Sequence, residues 1–542
     1  MGLFHKACDR CRSRKSRCRI LDSSAEAACE YCHKHRQRRK NPDEISRAGC
    51  SLAVPAPVAQ LSTQAGLEES SARQSLESDP HLYIDYVLGS NPSRQLCRPN
   101  SSHDQLSLLL GPSPNISFFP AKRVSAISQR LGHTKLEDLL QAIRMVIASK
   151  LKSSSSPALS APDEYFPQHQ ESAPQHTQQA LAKTYIRTYM EHIHPFYPFL
   201  NHMQFEKRAL SPAIDQDLAR DKVWACLYYA VVAVGCQHSD GGSYEARTGT
   251  SWTYFERSLV LWRDACLLKG SLSTLQALMS LAIFCQAISG FGMESVILGQ
   301  AAILAQQLSI TKSISAPDTH RAFWVLYYLE KTSCFVSGKV PTLQDSHISC
   351  PLPDPSVWSF ADYDWFPSLV RYSRLVSKMH GRLLTISSVP QPWASRYTAV
   401  NFIQSELESW RRSIPMRFRP GEPLRPRQLL EPHAVAIAVR AHYYYHYAYQ
   451  TLTWTLLHCD NDDIVASQAL ELKTDLMQTA RSVLELTSYI EISPAAPVWV
   501  LALMPLSSLM ILFDLVIHNP GHPETSLNLA LLDIASGHFS RI

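Results

Sequence analysis

The first 50 residues contain six cysteines, whose thiol side chains and spacing are typical of metal ligands. They follow the pattern Cys8-x2-Cys11-x6-Cys18-x10-Cys29-x2-Cys32-x17-Cys50. Two CxxC pairs, in a chain whose other cysteines are scattered, favour zinc over disulfide bonds. A structural zinc ion takes four ligands in a tetrahedron, with thiolate sulfur preferred. Two separate sites would need about eight thiolates, so two zinc ions on six cysteines must share two of them.

Basic side chains lie among these thiols, at Arg10, Arg12, Arg14, Lys15, Arg17 and Arg19. Residues 1–50 contain 13 Lys or Arg and 6 Asp or Glu, a net charge of +7. The remaining 39 basic and 41 acidic residues give a net charge of −2. Nearby cations lower thiol pKa values and so favour ligation. A basic head before a near-neutral body predicts a nucleic-acid-binding module followed by a globular one.

The composition divides the rest of the chain into a linker and a body. Residues 56–180 are rich in Ser, Pro and Gln, which is typical of segments that cannot bury enough apolar surface to fold. One helix is predicted within them, near 134–151, because Thr134 and Glu137 form a capping-box pattern before apolar residues at helical spacing. The helix is expected to dock on the body.

Residues 181–542 are predicted to form one large all-α domain, since apolar runs of helix length follow one another and strand-like alternation is scarce. The fold class is therefore mainly α, with a small zinc-bound N-terminal module. The stretch Ile492–Phe513 is free of charged residues and long enough to span a bilayer. It contains three prolines, so a buried core segment is the favoured interpretation, and no membrane partner is expected.

The head resembles the fungal binuclear zinc-cluster DNA-binding domain, in which six cysteines hold two zinc ions. The stretch CDRCRSRKSRC matches the first half of that family's motif closely. The resemblance implies that Cys8 and Cys29 bridge the two ions. One zinc would be held by Cys8, Cys11, Cys18 and Cys29. The other would be held by Cys8, Cys29, Cys32 and Cys50.

The same resemblance assigns tasks to the basic residues. In this family a short helix presents Lys or Arg to the major groove, where these side chains donate to guanine O6 and N7. By motif position Lys15 is the first candidate for a base contact and Arg14 the second. Phosphate contacts, which add affinity without sequence information, are expected from the others, Arg10, Arg12, Arg17 and Arg19.

One departure from the family pattern concerns the last cysteine. Seventeen residues separate Cys32 from Cys50, where the family has fewer. Three explanations remain open. The loop is a tolerated insertion, because lengthening a loop costs little entropy; or His33 or His35 replaces the sixth ligand; or the intervening residues are a translated stretch that is normally removed. Cys50 is favoured as the ligand.

The body is similar to the fungal-specific transcription-factor regulatory domain. The most telling stretch is Arg321 to Pro353, in which Glu330 takes the family's acidic position and Gly338 begins a Gly-x-x-Pro turn. This resemblance implies a nuclear, sequence-specific regulator of RNA polymerase II transcription. Its partners would be double-stranded DNA and the transcription machinery, with monomer and homodimer both open. Within the body, Trp324, Tyr327 and Tyr328 are expected to be buried.

Other interpretations of the body were weighed against these. The body shows no nucleophile elbow, HExxH or phosphate-binding glycine loop, so no enzyme is predicted. His192 and His194 could bind a metal, but histidines at a helix end are the favoured explanation. The aromatic stripe from His442 to Trp454 could line a ligand cavity, yet core packing is favoured. Two further functions stay open: a non-DNA-binding regulatory or scaffold protein with a disrupted cluster, and a membrane-tethered protein.

Overall fold

The apolar runs of the body form α-helices. The computed structural model describes residues 121–138, 141, 177–239, 241–266, 270–288, 292–312, 317–352, 359–360, 363–388, 392–430, 433–457 and 466–541. Helices α1 to α7 lie before residue 290: α1 (Ala121–Leu131), α2 (Thr177–His192), α3 (His202–Ala209), α4 (Ile214–Arg220), α5 (Lys222–Ser239), α6 (Thr250–Cys266) and α7 (Leu272–Gln286). The others are α8 (Met293–Gln307), α9 (Pro317–Ser337), α10 (Trp365–Ser388), α11 (Trp393–Arg412), α12 (Ala434–Leu457), α13 (Ala466–Leu486), α14 (Met504–His518) and α15 (Thr525–Phe539).

The all-α prediction is confirmed. Strands β1 (Ser359–Phe360) and β2 (Tyr363–Asp364) form a two-residue antiparallel pair, in which Ser359 lies opposite Asp364. The described residues between 200 and 340 contain helices and turns and no strand. The domain is therefore built by packing helices on helices.

Helices α5 and α7 form the centre of the main core because they are apolar on every side. Most side chains of each are buried, from Trp224 to Gln237 in α5 and from Thr274 to Gln286 in α7. Ser271 caps α7, accepting a hydrogen bond from the Thr274 N–H at 3.2 Å. Gly235 lets α2 cross α5 closely, since a Cβ there would overlap the Tyr185 carbonyl oxygen.

Stacked aromatic rings join the second half of the domain to this core. The Tyr444 ring stacks on Tyr372 at 4.7 Å and on Trp499 at 5.7 Å between centroids. Its hydroxyl lies 2.5 Å from that of Tyr328. Such pairs contribute beyond the area they bury, so Tyr444 of α12 connects α9, α10 and the segment before α14.

A second, smaller core includes residues from the stretch that the composition assigned to the linker. Val124 and Ile127 of α1 are buried against the helices α13, α14 and α15. A further helix begins after Thr134, and its Leu136 is buried in the same core. The predicted helix near 134–151 begins here, and its later residues lie outside the described ranges except for residue 141. Helix α1 was not predicted.

The charge-free stretch Ile492–Phe513, which continues into α14, is packed within the domain. Residues 492–497, which contain Pro494 and Pro497, are not helical, and a π-helical turn over Trp499–Leu503 leads into α14. Residues Trp499–His518 are long and apolar enough to cross a membrane, and half of their most apolar window is buried. Two polar side chains of this segment, Ser507 and Ser508, bond to Gln450 of α12. Gln450 donates to the Ser507 hydroxyl at 2.9 Å and accepts from the Ser508 hydroxyl at 2.6 Å.

Candidate functional site

The predicted metal-binding and DNA-binding residues all precede the described part of the chain. The candidate zinc ligands are Cys8, Cys11, Cys18, Cys29, Cys32 and Cys50, and the candidate DNA contacts are Lys15, Arg14, Arg12, Arg17, Arg10 and Arg19. Their assignment stays a prediction. The described residues instead contain the body motif, which begins at Arg321 in helix α9.

Helix α9 presents its aromatic residues to the core. The exposed fractions of Trp324, Tyr327 and Tyr328 are 3%, 1% and 1%, which confirms their predicted burial. Each also directs its polar atom to a defined acceptor or partner. The Trp324 indole donates to the Pro351 carbonyl at 2.6 Å, and the Tyr327 hydroxyl donates to the Asp345 carboxylate at 2.9 Å. Both bonds join the helix to the loop that follows it.

Glu330 is the acidic residue of this motif, and it holds the same loop. One of its carboxylate oxygens, Oε1, accepts hydrogen bonds from the backbone N–H groups of Thr342 at 2.5 Å and Leu343 at 2.9 Å. The residue is 2% exposed. Burial raises the pKa of Glu330, because desolvation penalises the charged form and the neighbouring Lys331 only partly offsets it.

Lys331, the next residue of α9, contacts the same loop. Its ammonium donates to the Leu343 carbonyl and lies 3.7 Å from the Asp345 carboxylate. Asp345 also accepts from the Ser377 hydroxyl of α10 at 3.0 Å. We call Glu330, Lys331, Thr342, Leu343 and Asp345 the clasp. The loop backbone bonds to Oε1 of Glu330 and to the Lys331 ammonium, whereas Oε2 of Glu330 lies 3.8 Å from Lys331 Nζ and accepts no hydrogen bond from a described residue.

The turn that enters the clasp depends on glycine. Gly338 has a φ of 69°, a left-handed conformation that ends helix α9. The Lys339 N–H then bonds back to the Cys334 carbonyl at 3.0 Å. At the far end of the loop, the N–H groups of Ser349 and Cys350 both donate to the Thr311 carbonyl at 2.9 Å. The body motif therefore fixes a long loop against α9, and its chemistry is structural.

The histidines at the end of α2 have structural partners. His194 is 2% exposed, and its Nε2 lies 2.9 Å from the Leu200 carbonyl oxygen. Burial lowers its pKa to about 4, so the ring is neutral near neutral pH. The His192 ring packs edge-on against His433, with centroids 5.2 Å apart. In the part of the chain that is described, no three His, Cys, Asp or Glu side chains are grouped to hold a metal ion.

The aromatic stripe on α12 divides between core and cavity. Tyr443, Tyr444 and Tyr447 are fully buried, which confirms their predicted role in the core. His442 and His446, one helical turn apart, instead line a cavity of about 580 Å³. Sequence reasoning missed this split. The signal was the i, i+4 spacing of the two histidines, which places both on one face of the helix.

Comparison with known proteins points to one family. Residues 186–412 match the sequence pattern of the fungal specific transcription factor domain. The chain is 22% identical over 325 positions to an ABC-transporter-regulating transcription factor of Aspergillus fumigatus, covering 54% of this chain and 36% of that protein. It is 28% identical over 222 positions to the fumonisin cluster-specific transcription factor of Gibberella moniliformis, covering 36% and 33%.

A longer match extends over nearly the whole chain. An uncharacterized transcriptional regulatory protein of Schizosaccharomyces pombe is 21% identical over 595 aligned positions, covering 99% of this chain and 89% of the relative. By contrast, the chain spans about a third of the Aspergillus relative, since 36% of that protein is covered. The clasp lies inside the matched range 186–412, and the all-α body agrees with the fold expected there. Residues 186–412 thus match the fungal specific transcription factor domain, and the relatives that share this region are named as transcription regulators.

Proposed function

We propose that the protein is a sequence-specific DNA-binding regulator of RNA polymerase II transcription that acts in the nucleus. A zinc-bound head, residues 1–55, would bind double-stranded DNA, and the α-helical body, residues 181–542, would regulate its activity. The observation that carries the proposal is the six-cysteine, arginine-rich head at the front of a chain with a fungal specific transcription factor domain. The names of its relatives support the regulatory part.

The chemistry of the donor set fits two zinc ions. Six thiolates and two Zn²⁺ carry a net charge of about −2, which the head's Arg and Lys residues offset. Cys8 and Cys29 are proposed as the bridging ligands, and Cys50 as the last. Metal binding would supply most of the folding free energy of so small a module.

DNA recognition would follow from the basic residues between the cysteines. Lys15 is proposed to donate to a guanine edge, with Arg14 beside it, and the preferred site would contain a CGG-like triplet. Arg17 and the remaining arginines would contact phosphates. Transcription machinery would be the second class of partner.

One observation favours a second candidate function. The 17 residues between Cys32 and Cys50 would separate the last ligand from the cluster, if the loop does not fold back. The protein would then be a regulatory or scaffold protein that does not bind DNA. Zinc stoichiometry distinguishes the two candidates, because a disrupted cluster cannot hold two ions.

The test is metal analysis of the purified full chain by mass spectrometry. We expect two zinc ions per chain, and a lower content in Cys8→Ser, whose thiolate would serve both ions. Cys97→Ser, which changes a cysteine outside the six-residue pattern, is the matched control and should keep both ions. One zinc or none in the unmodified chain would support the scaffold function instead.

A further inference from the structure

Arg440 of α12 is a cation set into the body without an anionic partner. The residue is half-buried, and its guanidinium lies over the ring of Phe196, with Cζ 4.2 Å from the ring centroid. Nη1 donates to the Tyr197 hydroxyl at 3.2 Å. Among the described residues, no carboxylate pairs with this guanidinium and no other group accepts from it. Arginine stays charged in proteins, and a charge removed from water is costly without a counter-ion.

Other arginines that contact an aromatic ring are stabilised in one of two ways. Arg411 is paired with both oxygens of the Glu408 carboxylate, through Nε at 2.6 Å and Nη2 at 2.8 Å. Arg257 lies over the ring of Tyr229, with Cζ 4.3 Å from the centroid, and is exposed to water. Arg440 has neither a carboxylate partner nor that exposure, so its position favours an anion that comes from outside the chain.

The free edge of the Arg440 guanidinium has the geometry of a carboxylate site. The bond to Tyr197 occupies Nη1, which leaves the adjacent nitrogens Nε and Nη2. This is the edge through which Arg411 binds Glu408, and two parallel N–H···O bonds are typical of arginine–carboxylate pairs. Neither Nε nor Nη2 of Arg440 is among the sealed, unpartnered polar atoms of the described core, so the edge is not closed off.

The histidines near Arg440 add no charge to it near neutral pH. Burial and the nearby cationic groups, among them Arg440, lower the pKa of His238 to about 3. Burial also lowers the pKa of His433, and the charge of Arg440 contributes to that shift. The Nε2 of His433 lies 2.7 Å from the Glu191 carbonyl oxygen and donates to it, since a carbonyl only accepts. Both rings are therefore neutral, and the single charge of the guanidinium matches that of one carboxylate.

We propose that Arg440 binds the carboxylate of a small organic acid. The two carboxylate oxygens accept from Nε and Nη2, while Tyr197 holds Nη1 and Phe196 supports the flat face of the guanidinium. A small acid fits better than an acidic segment of another protein, because Phe196 and Tyr197 are only 5% and 3% exposed, so the guanidinium rests below the surface. The inference concerns binding by the body alone. It goes beyond the proposed function and does not depend on zinc or DNA.

Methylglyoxal, a small reagent that reacts with arginine side chains, tests the proposal in the full chain. Mass spectrometry of peptides at low conversion gives the initial rate of labelling at each arginine. The rates are compared near neutral pH in sodium acetate and in sodium chloride of equal ionic strength. Two charge-assisted hydrogen bonds predict millimolar affinity, so about 50 mM acetate should slow the labelling of Arg440 roughly fivefold or more. Acetamide, which is neutral and has the same shape, should not slow it.

Two other arginines serve as controls in the same sample. Arg257 is exposed and should be labelled at the same rate in acetate and in chloride. Arg411 is already bound to Glu408 and should be labelled slowly in both. The proposal is overturned if acetate slows Arg440 and Arg257 equally, or if Arg440 is not labelled in chloride, because its edge would then be closed to small molecules. Protection by a glutamate-rich peptide but not by acetate would also overturn it, in favour of a protein partner.

A matched pair of variants tests the same site through stability. Acetate that binds the folded state should raise the urea midpoint of the unmodified chain most steeply at low concentration, since the stabilisation grows with the logarithm of ligand concentration. Arg440→Lys keeps the charge but not the two adjacent donors, and should lose this rise. Arg257→Lys should keep it. A rise that persists in Arg440→Lys would contradict the proposal, and the labelling rates decide the matter if that variant does not fold.

Discussion

Removing the Glu330 carboxylate should destabilise the body strongly. In Glu330→Ala, the buried backbone N–H of Leu343 loses its acceptor, which lies 2.9 Å away, and the Thr342 N–H loses the same oxygen. Lys331, whose side chain is 2% exposed, keeps a carboxylate only at Asp345. Breaking a buried charged pair by deleting one partner costs about 3–5 kcal/mol.

The unpartnered backbone N–H groups and the broken charged pair result from the same deletion, so their costs in the free energy of unfolding do not add. An unsatisfied buried N–H alone costs about 1–3 kcal/mol, and we expect a total loss of about 3–5 kcal/mol in the free energy of unfolding. A domain's stability is about 5–15 kcal/mol, so the variant should lose a large fraction of it. The assay is urea denaturation of the full chain, followed by circular dichroism at 222 nm.

Two controls separate charge from hydrogen bonding. Glu330→Gln keeps a carbonyl oxygen for the loop N–H groups and loses only the charge, so its loss should be smaller. Glu206→Ala removes a partly exposed carboxylate that lies 3.1 Å from His202, and should change stability by about 0.5 kcal/mol or less. The reasoning would be refuted if Glu330→Ala and Glu206→Ala had the same denaturation midpoint.

Three other predictions test the body and the head. Burial lowers the pKa of His194 to about 4 in the folded state, whereas in the unfolded state the pKa is about 6.5. As the pH falls below about 6.5, this histidine is therefore protonated in the unfolded state before it is protonated in the folded state. Stability should thus fall by about 2 kcal/mol between pH 8 and pH 5 from this residue, and His194→Gln should lose that part of the pH dependence in urea titrations. Tyr328→Phe leaves the buried Tyr444 hydroxyl without its 2.5 Å partner and should cost about 1–2 kcal/mol, measured in the same way; an unchanged midpoint would show that the contact contributes nothing. Lys15→Ala should lose affinity for the preferred DNA by about 1–3 kcal/mol but little for random DNA, whereas Arg17→Ala should weaken both equally and reduce the salt slope by about one; a uniform loss in Lys15→Ala would make it a phosphate contact.

Much of the body could be predicted because the local pattern of apolar residues along a helix indicates which side chains are buried. The runs that became α5 and α7 are apolar on every side, and such helices have to lie in a core. The aromatic residues of α9 recur at helical spacing, so the burial of Trp324, Tyr327 and Tyr328 followed directly. These inferences required only periodicity along one helix.

The clasp and the cavity could not be predicted, since they depend on contacts between separate elements. The sequence marked Glu330 as the acidic position of a motif, but gave no means of placing its oxygen against the Leu343 N–H. His446 and Ile534 line one cavity although 88 residues separate them. Helix α1 was missed because its Ser, Arg and Lys residues resemble the surrounding linker; Val124, Ile127 and Ser128 are buried among its described side chains.

The most direct test of the proposed function is selection of DNA by the full chain from a pool of randomised duplexes. We expect enrichment of sites that contain a CGG-like triplet, and loss of that enrichment when zinc is chelated, since the metal would fold the head. The selected sites would also report whether one triplet or two at a fixed spacing are bound, and hence whether the protein binds as a monomer or a dimer. Failure to enrich any sequence, or enrichment that survives complete removal of zinc, would contradict the account.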